Sequence, residues 1–263
     1  MLKPFFEREN IEYFVPLSPE DVTLWNREKY ERMEEEIGTI RSVVVFLIPY
    51  HAGQKTTNLS VYAQVRDYHL YLRQLSERFG EYLREKGFST AFRGFADSSP
   101  LAERETALAA GLGVMGENGL LIHPKYGSYF FIGAFFLTEC LMPNQKKQTA
   151  GKCLSCGACK KACPTGAVLD PKRERCLSRI SQKKHRSPEE DALLAQTECK
   201  WGCDLCQNIC PMNREAERTP IPFFQTDHIA RLTAETAELP KEEFLTRAFS
   251  WRGRELLRKN LKQ

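Results

Sequence analysis

The sequence lacks any segment that would carry the chain into or across a membrane. No apolar leader with a small-residue cleavage site is present, and no apolar run is long enough to span a bilayer. We therefore expect a cytoplasmic protein with no membrane partner, where thiols stay reduced and disulfides are disfavoured. A large excess of charge of one sign is missing too. The net charge of +4 permits an anionic partner but does not predict one.

Internal repeats are also missing, with one exception that concerns cysteine. Nine of the 10 cysteines fall between Cys153 and Cys210. Residues 153–164 read CLSCGACKKACP, the ferredoxin pattern in which three thiolates hold one 4Fe–4S cluster and the fourth ligates another. Residues 203–211 read CDLCQNICP and repeat the last three positions of that pattern. The spacing predicts a pair of iron–sulfur clusters that carries electrons.

The ferredoxin crossover predicts how the cysteines divide between the clusters. The first cluster takes Cys153, Cys156, Cys159 and Cys210, and the second takes Cys163, Cys203, Cys206 and either Cys176 or Cys199. Zinc is the competing interpretation, because paired cysteines also form zinc ribbons. Two runs at this spacing, each ending in Cys-Pro, favour iron–sulfur. Cys140 lies outside the array and is predicted to be a small buried hydrophobic residue.

The rest of the chain predicts an α/β fold. Residues 42–48 and 129–137 are apolar runs typical of buried strands, and residues 88–95 alternate like a strand. A helix is predicted over 65–86, where Tyr68, Leu72, Leu75, Phe79, Tyr82 and Leu83 follow helical spacing and Gly87 supplies the stop. A second helix is predicted to begin at Ser99 as N-cap, with Pro100 at its first position, and to end at Gly111.

Composition shifts suggest three units. We expect an α/β domain over residues 1–145, a ferredoxin-like two-cluster domain over 146–224 and a short helical tail over 225–263. A polar linker is predicted over 143–151. Within the first unit, residues 111–116 spell G-x-G-x-x-G, but an Ala-rich helical segment precedes them where a dinucleotide fingerprint needs a strand. We predict a helix end followed by a tight loop that approaches a ligand or a neighbouring strand.

Several separate segments together resemble the epoxyqueuosine reductases. These are residues 62–69 (YAQVRDYH), 93–104 (RGFADSSPLAER), 110–118 (AGLGVMGEN), 123–133 (HPKYGSYFFIG) and 201–211 (WGCDLCQNICP). They follow the family's order over roughly residues 42–224. The combination is specific, whereas the ferredoxin pattern alone is not. The resemblance also places Cys176 at the family's fourth ligand position for the second cluster, which leaves Cys199 as the spare.

The resemblance implies a reaction and its cofactors. Family members bind base-off cobalamin in the α/β domain, pass electrons to it through two 4Fe–4S clusters, and reduce epoxyqueuosine in a tRNA anticodon to queuosine. It implies Asp97 as proton donor, which must be protonated to act, a state that burial beside an apolar corrin would favour. Without the family match, Asp97 would be a carboxylate placed ahead of a helix, favoured by the helix dipole.

The resemblance extends to the pocket around Asp97. It implies Tyr68 and His69 at the substrate and corrin pocket, although Tyr68 also fits the apolar stripe of its helix. Arg104, Asn118, Gly127 and Ser128 are expected to face the cofactor, while Arg104 with Glu103 would also suit a plain helical charge pair. We further expect the tRNA anticodon loop as partner, an external flavodoxin- or ferredoxin-type electron donor, and a monomer.

The chain departs from the family pattern in several places. Where many members read G-W-x-G-K-N, this chain has Val114 and Glu117 in place of tryptophan and lysine, and Val65 stands where glycine is frequent. We expect a compact form without the C-terminal helical-repeat domain that grips tRNA in longer members. Basic clusters remain as candidate phosphate contacts, at residues 146–147, 160–161, 172–173, 183–186 and 252–262.

Two other classes of function stay open from the sequence. One is a corrinoid iron–sulfur reductase of a different small molecule. The other is an electron carrier or corrinoid-reducing partner protein, which would have no need of a proton donor at Asp97.

Overall fold

A computed structural model describes residues 2–141, 151–170 and 172–262. The helices are α1 (Leu2–Arg8), α2 (Arg27–Ile37), α3 (Val61–Gln64), α4 (Tyr68–Glu85), α5 (Glu103–Ala109), α6 (Ala158–Ala162), α7 (Leu177–Ser181), α8 (Pro188–Ala195), α9 (Leu205–Asn208), α10 (Ala234–Ala237), α11 (Lys241–Phe244) and α12 (Arg254–Leu261). The strands are β1 (Phe14–Leu17), β2 (Ser42–Pro49), β3 (Phe92–Ala96), β4 (Val114–Met115), β5 (Leu121–Ile122) and β6 (Phe130–Leu137). Short 3-10 turns occupy Pro19–Asp21, Ala167–Leu169, Pro211–Asn213, Pro222–Phe224 and Ser250–Arg252.

The centre of the molecule is a four-stranded antiparallel sheet in the order β1-β2-β6-β3. Strand β2 pairs with β6 from Ser42–Leu137 to Pro49–Phe130. Side chains alternate along β2: Val44, Phe46 and Ile48 join the core that contains α1 and α4, whereas Val43, Val45 and Leu47 join the core beneath α2 and α5. Helices therefore cover both faces, which explains why the predicted strand is apolar throughout.

The strands predicted over 42–48 and 129–137 and the long helix are confirmed, whereas the strand predicted over 88–95 is shorter and spans Phe92–Ala96. Helix α4 begins three residues later than predicted, because Asp67 caps it by accepting from the His69 amide at 2.8 Å. Gly87 follows its C-terminus with φ of +75°. The glycine pattern over 111–116 is the predicted helix end and tight loop, since it leads from α5 into the β4–β5 hairpin. The mixed α/β architecture is therefore as expected.

The predicted start of the second helix is wrong. Helix α5 begins at Glu103, and Ser99 makes no helix cap. The carbonyl of Pro100 instead accepts from the amides of Trp25 and Asn26, and Ala102 donates to the Thr23 carbonyl at 2.8 Å. Because these backbone groups pair with a distant segment, the helix is delayed by one turn. The predicted linker over 143–151, apart from Gly151, and the boundary at 145/146 lie outside the described residues.

The segment after the second cysteine run packs onto the rest of the chain in two places: Ile221 and Phe224 join the core that contains α1 and α4, and later residues join a second core, the Trp201 core. It joins Leu59 and Ala63 to Trp201 and to side chains of α11, α12 and their connection, among them Phe244, Phe249 and Leu257. The side-chain amide of Asn58 donates to the Leu232 carbonyl and accepts from the Leu232 backbone N–H, both at 2.9 Å. The backbone carbonyl of Asn58 accepts from the Lys200 N–H at 2.7 Å. Three distant parts of the sequence are therefore tied together here.

Candidate active site

Four cysteine side chains from both runs line one small, almost wholly apolar cavity, the thiol cavity. It is lined by Gly116, Glu117, Asn118, Ile122, Cys153, Leu154, Cys156, Cys159, Cys210, Pro211 and Met212. The four cysteines are those that the ferredoxin crossover assigned to the first cluster. Thiolates converging on an apolar space are the donor set that iron–sulfur clusters use, so the residues fit a 4Fe–4S group.

The remaining thiols gather around Cys206. Burial is the main cause that raises the pKa of Cys206 to about 12, and the charges of Cys176 and Cys163 act in the same direction. The pKa of Cys203 is also raised, first by a hydrogen bond with Cys199 and then by burial. The structure thus puts Cys176 beside Cys206 and Cys199 beside Cys203. Both candidates for the eighth ligand border the second group, and the choice of Cys176 stays a prediction.

The prediction that Cys140 is buried is wrong, because Cys140 is exposed. The last ladder pair of the sheet is Ser42–Leu137, and the chain then leaves the sheet. The Leu141 amide donates to Ser42 Oγ at 2.7 Å and holds this exit at the edge. An apolar neighbourhood in sequence therefore did not produce burial of Cys140.

A wide groove opens on the α5 side of the sheet, and we call it the Asp97 groove. Its volume is about 540 Å³, and it is lined by Trp25, Asp97, Leu101, Ala102, Glu103, Arg104, Glu105, Leu120, Leu121, Ser128, Phe130, Phe131 and Ile132. Strand β6 and the β4–β5 hairpin supply an apolar floor, while α5 and the loop before it supply a charged rim. A flat apolar macrocycle with polar substituents fits such a surface.

Asp97 stands at the end of β3 in an uncommon backbone conformation. Its φ is +69°, in the left-handed region that aspartate tolerates better than most residues. The Tyr68 hydroxyl donates to Asp97 Oδ2. The Tyr68 ring stacks on Phe131 in the groove floor, with centroids 3.9 Å apart and planes at 20°. Two of the three predicted catalytic residues therefore meet, although Asp97 itself is exposed rather than buried.

His69 adjoins this pair but faces another partner. Its Nδ1 lies 2.8 Å from Asp67 Oδ1, and this hydrogen bond is the main cause of a raised His69 pKa. Its ring contacts Tyr68 at a centroid distance of 4.2 Å. His69 does not line the groove itself, so its geometry suits support of Tyr68 better than contact with a groove ligand.

Glu103 is a site residue that the sequence reasoning missed. Ser99 Oγ donates to Glu103 Oε1 at 2.6 Å, and the carboxylate also accepts from the backbone of Asp97 and Ser99. Burial raises the pKa of Glu103 to about 7 against these hydrogen bonds. Glu103 therefore fastens the loop that carries Asp97. The available signal was the placement of a glutamate four residues after a serine.

Arg104 does not form the plain helical charge pair with Glu103. Its Nη1 donates to the Gly119 carbonyl at 2.6 Å, and Nη2 lies 3.9 Å from Glu105. This contact ties α5 to the β4–β5 hairpin across the groove. Arg104 lines the groove, as expected of a cofactor-facing residue.

The three other predicted cofactor residues serve the join between the sheet and the cysteine runs. Asn118 is buried, lines the thiol cavity and donates to the Cys206 carbonyl at 3.2 Å. Ser128 lines the groove, but its Oγ accepts from Asn213 at 2.9 Å. Gly127, with φ of +56°, lies against Asn213, where a side chain would collide. Asn118 and Gly127 are not among the residues that line the groove.

One hairpin separates the two candidate sites. Gly116, Glu117 and Asn118 line the thiol cavity, and Leu120 and Leu121 line the Asp97 groove. The turn is held by bonds from the Gly116 amide to the Leu120 carbonyl at 2.9 Å and from the Gly119 amide to the Gly116 carbonyl at 2.8 Å. A group in the groove would therefore sit one loop away from the first cluster.

Several residues of the basic clusters form ion pairs with acidic residues of the same chain. Lys183 pairs with Glu190, Arg186 with Asp191, and Arg258 with Glu238. Lys161, Lys172 and Lys184 remain exposed. Within the described residues, no helix is both long and apolar enough to cross a membrane.

Comparisons with known proteins agree with both halves of this description. The family model "4Fe-4S double cluster binding domain" matches residues 152–213, and the model "Epoxyqueuosine reductase QueG, DUF1730" matches residues 31–98. The first match supports iron–sulfur clusters over zinc. The fold and the cysteine array define an iron–sulfur protein of mixed α/β architecture.

Relatives that match most of the chain narrow this class of protein. An epoxyqueuosine reductase of Pseudomonas aeruginosa is 36% identical over 223 residues, covering 82% of this chain and 60% of the relative. One of Escherichia coli is 34% identical over 194 residues, covering 69% of this chain and 51% of the relative. The chain belongs to the epoxyqueuosine reductase family. It spans about half to three fifths of the length of these relatives.

Solved structures share the fold. An epoxyqueuosine reductase of Streptococcus thermophilus matches with a TM-score of 0.77 at 23% identity, over 99% of this chain and 78% of that one. An epoxyqueuosine reductase solved with an epoxyqueuosine-modified tRNA stem loop matches with a TM-score of 0.79 at 22% identity, over 99% of this chain and 78% of that one.

Proposed function

We propose that this chain is an oxidoreductase that reduces epoxyqueuosine to queuosine at the wobble position of a tRNA anticodon. The observation that carries the proposal is the hairpin between the thiol cavity and the Asp97 groove, because it brings an electron path and a proton donor to one place. Family membership supplies the substrate class.

The reaction needs two electrons and two protons. Both carbon–oxygen bonds of the epoxide break, a carbon–carbon double bond forms, and the oxygen leaves as water. We assign the electron path to two 4Fe–4S clusters, one held by Cys153, Cys156, Cys159 and Cys210 and the other by Cys163, Cys176, Cys203 and Cys206. An external flavodoxin- or ferredoxin-type protein would supply the electrons.

Base-off cobalamin fits the Asp97 groove, and when bound it supplies the reduced metal centre that delivers both electrons to the epoxide. The groove floor of Phe130, Phe131 and Leu120 would lie against the corrin, and Arg104 and Ser128 at the rim would meet its polar substituents. Asn118 and Gly127 would hold the cysteine runs against this floor rather than contact the corrin.

Asp97 is the residue that we assign to proton transfer. Its carboxyl group projects into the groove, where the Tyr68 hydroxyl fixes one oxygen and leaves the other free to hold a proton for the departing oxygen. A bound corrin and substrate would exclude water from the space around this carboxyl group. The ring of His69 contacts the ring of Tyr68 and helps to orient it.

The remaining assignments concern the partner and the setting. A tRNA anticodon loop would meet the groove, and the exposed Lys161, Lys172 and Lys184 are candidates for phosphate contacts. We keep the division into residues 1–145, 146–224 and 225–263 as a proposal for the domains. We expect the protein to act as a monomer in the cytoplasm, where its free thiols stay reduced.

Reconstitution tests the proposed function. The protein would be loaded with iron, sulfide and cobalamin, given a chemical reductant, and offered an RNA stem loop that carries epoxyqueuosine. Formation of queuosine, followed by nucleoside mass spectrometry, is the expected result. Two bound clusters and bound cobalamin without turnover would exclude this substrate and leave a different corrinoid reductase. A protein that binds clusters but no cobalamin would instead be an electron carrier.

A further inference from the structure

Glu117 and Lys160 form an ion pair at the edge of the thiol cavity. Glu117 lies in the β4–β5 turn and lines the cavity together with four cysteines. Its Oε1 lies 2.5 Å from Nζ of Lys160, which directly follows Cys159 in α6. The carboxylate and the ammonium thus meet beside the thiols assigned to the first cluster.

Both charges are held in place and partly shielded from water. The side chains of Glu117 and Lys160 are 26% and 38% exposed. The turn that carries Glu117 is fixed by its own backbone bonds and by Asn118, which donates to the Cys206 carbonyl. Cys159 interacts electrostatically with Glu117, and Lys160 with Cys159 and Cys153. Solvent therefore screens these charges less than it would on an open surface.

Reduction of a 4Fe–4S cluster adds one negative charge to it. A nearby carboxylate opposes that added charge, and a nearby ammonium favours it. The reduction potentials of such clusters depend on net charge, on hydrogen bonds to the sulfurs and on solvent exposure. Two opposite charges fixed beside the same ligand set should therefore act on its potential in opposite directions.

We propose that Glu117 and Lys160 together set the reduction potential of the cluster held by Cys153, Cys156, Cys159 and Cys210. Glu117 makes this potential more negative, Lys160 makes it more positive, and their pairing balances the two effects. This inference rests on the proposed function only in taking that cluster as part of the electron path.

A purely structural pair would behave differently. If the ion pair only held the β4–β5 turn against α6, breaking it from either side would loosen the same contact. Both single substitutions would then change the cluster in the same direction. Opposite signs for the two substitutions are expected only when the charges act directly on the cluster.

The test uses the full chain loaded with iron and sulfide alone, and titrates both clusters with a reductant while EPR spectra are recorded. We expect Glu117→Gln to move one of the two midpoint potentials to a more positive value and Lys160→Met to move the same one to a more negative value. The double variant should return close to the unsubstituted protein. The other potential should stay in place. Iron content and circular dichroism check that every variant is folded and loaded.

Lys161→Met is the matched control, because it removes the same charge from the adjacent position. Lys161 is exposed and has no ion-pair partner among the described residues, so its loss should shift the potential less than the loss of Lys160. Shifts of equal sign for the two single variants, an equal shift in Lys161→Met, or no shift would overturn the inference. Failure to assemble two clusters would overturn both proposals, whereas failed turnover with responsive potentials would count against the proposed function alone.

Discussion

The thiol cavity and the Asp97 groove lie on opposite sides of one hairpin, yet they are assembled in different ways. The cavity draws its four cysteines from two short runs, and three of them come from seven consecutive residues, 153–159. The groove draws on Trp25, on the end of β3, on α5 and on the start of β6. A site whose ligands are close in sequence depends on local spacing. A site gathered from distant segments depends on the register of the whole sheet.

The largest effect is expected when the two candidates for the eighth cluster ligand are substituted one at a time. This tests whether the ligands of the clusters follow from their spacing in the sequence. Cys176→Ser should remove the second cluster and abolish turnover, because a cubane needs a thiolate at each iron. Cys199→Ser should retain both clusters. Iron content and visible absorbance measure the outcome, and the exposed Cys140→Ser is a control for loss of any thiol. The reverse pattern would assign Cys199 as the ligand.

Asp97→Asn should affect the groove and leave the cavity intact. Asparagine tolerates the left-handed backbone of this position, so the substitution removes the proton donor with little strain. We expect turnover to fall by about 10²- to 10⁴-fold, the usual contribution of a general acid, with both clusters and cobalamin retained. Glu105→Gln, an exposed carboxyl at the same groove, should have little effect. Loss of cobalamin in Asp97→Asn would show a structural role.

Tyr68→Phe tests the contact between Asp97 and the groove floor. The ring can still stack on Phe131, but the hydrogen bond to Asp97 is lost, and a fall in turnover of about tenfold is expected from one hydrogen bond. The control is Tyr71→Phe on the same helix, since the buried Tyr71 hydroxyl has no hydrogen-bond partner in the described structure. Equal losses in both variants would point to helix packing instead.

The smallest effect is expected at Glu103, whose protonation makes the free energy of unfolding depend on pH. Its pKa is raised by burial from 4.5 to about 7, so the folded state favours the protonated form. That contribution to stability is complete below pH 4.5 and is lost as the pH rises through about 7.

The matching measurement compares free energies of unfolding at pH 5 and pH 8. The unsubstituted protein should lose roughly 1 kcal/mol more than Glu103→Gln over this interval, after allowing for solvent screening of the exposed part. Glu105→Gln should follow the unsubstituted protein. An equal change in the free energy of unfolding for the unsubstituted protein and Glu103→Gln would show that burial does not raise the pKa of Glu103.

Sequence patterns predicted the parts of this molecule in which neighbours along the chain decide the outcome. The apolar run of β2, the stripe of α4 and the grouping of four cysteines all follow from local spacing. The start of α5 could not be predicted, because it depends on Trp25, Asn26 and Thr23, which are more than 70 residues away along the chain and occupy the backbone around Pro100. The role of Glu103 differs, because its hydrogen-bond partners lie within six residues along the chain and a local signal was available.

The Trp201 core gives the protein a built-in optical reporter. The chain has three tryptophans, of which Trp25 and Trp251 are 63% and 58% exposed and only Trp201 is fully buried. A red shift of the fluorescence on heating would therefore come almost entirely from Trp201. Because that side chain lies under the last 40 or so residues and two positions before Cys203, the same signal would reveal when the end of the chain detaches and when the second cysteine run begins to lose its support.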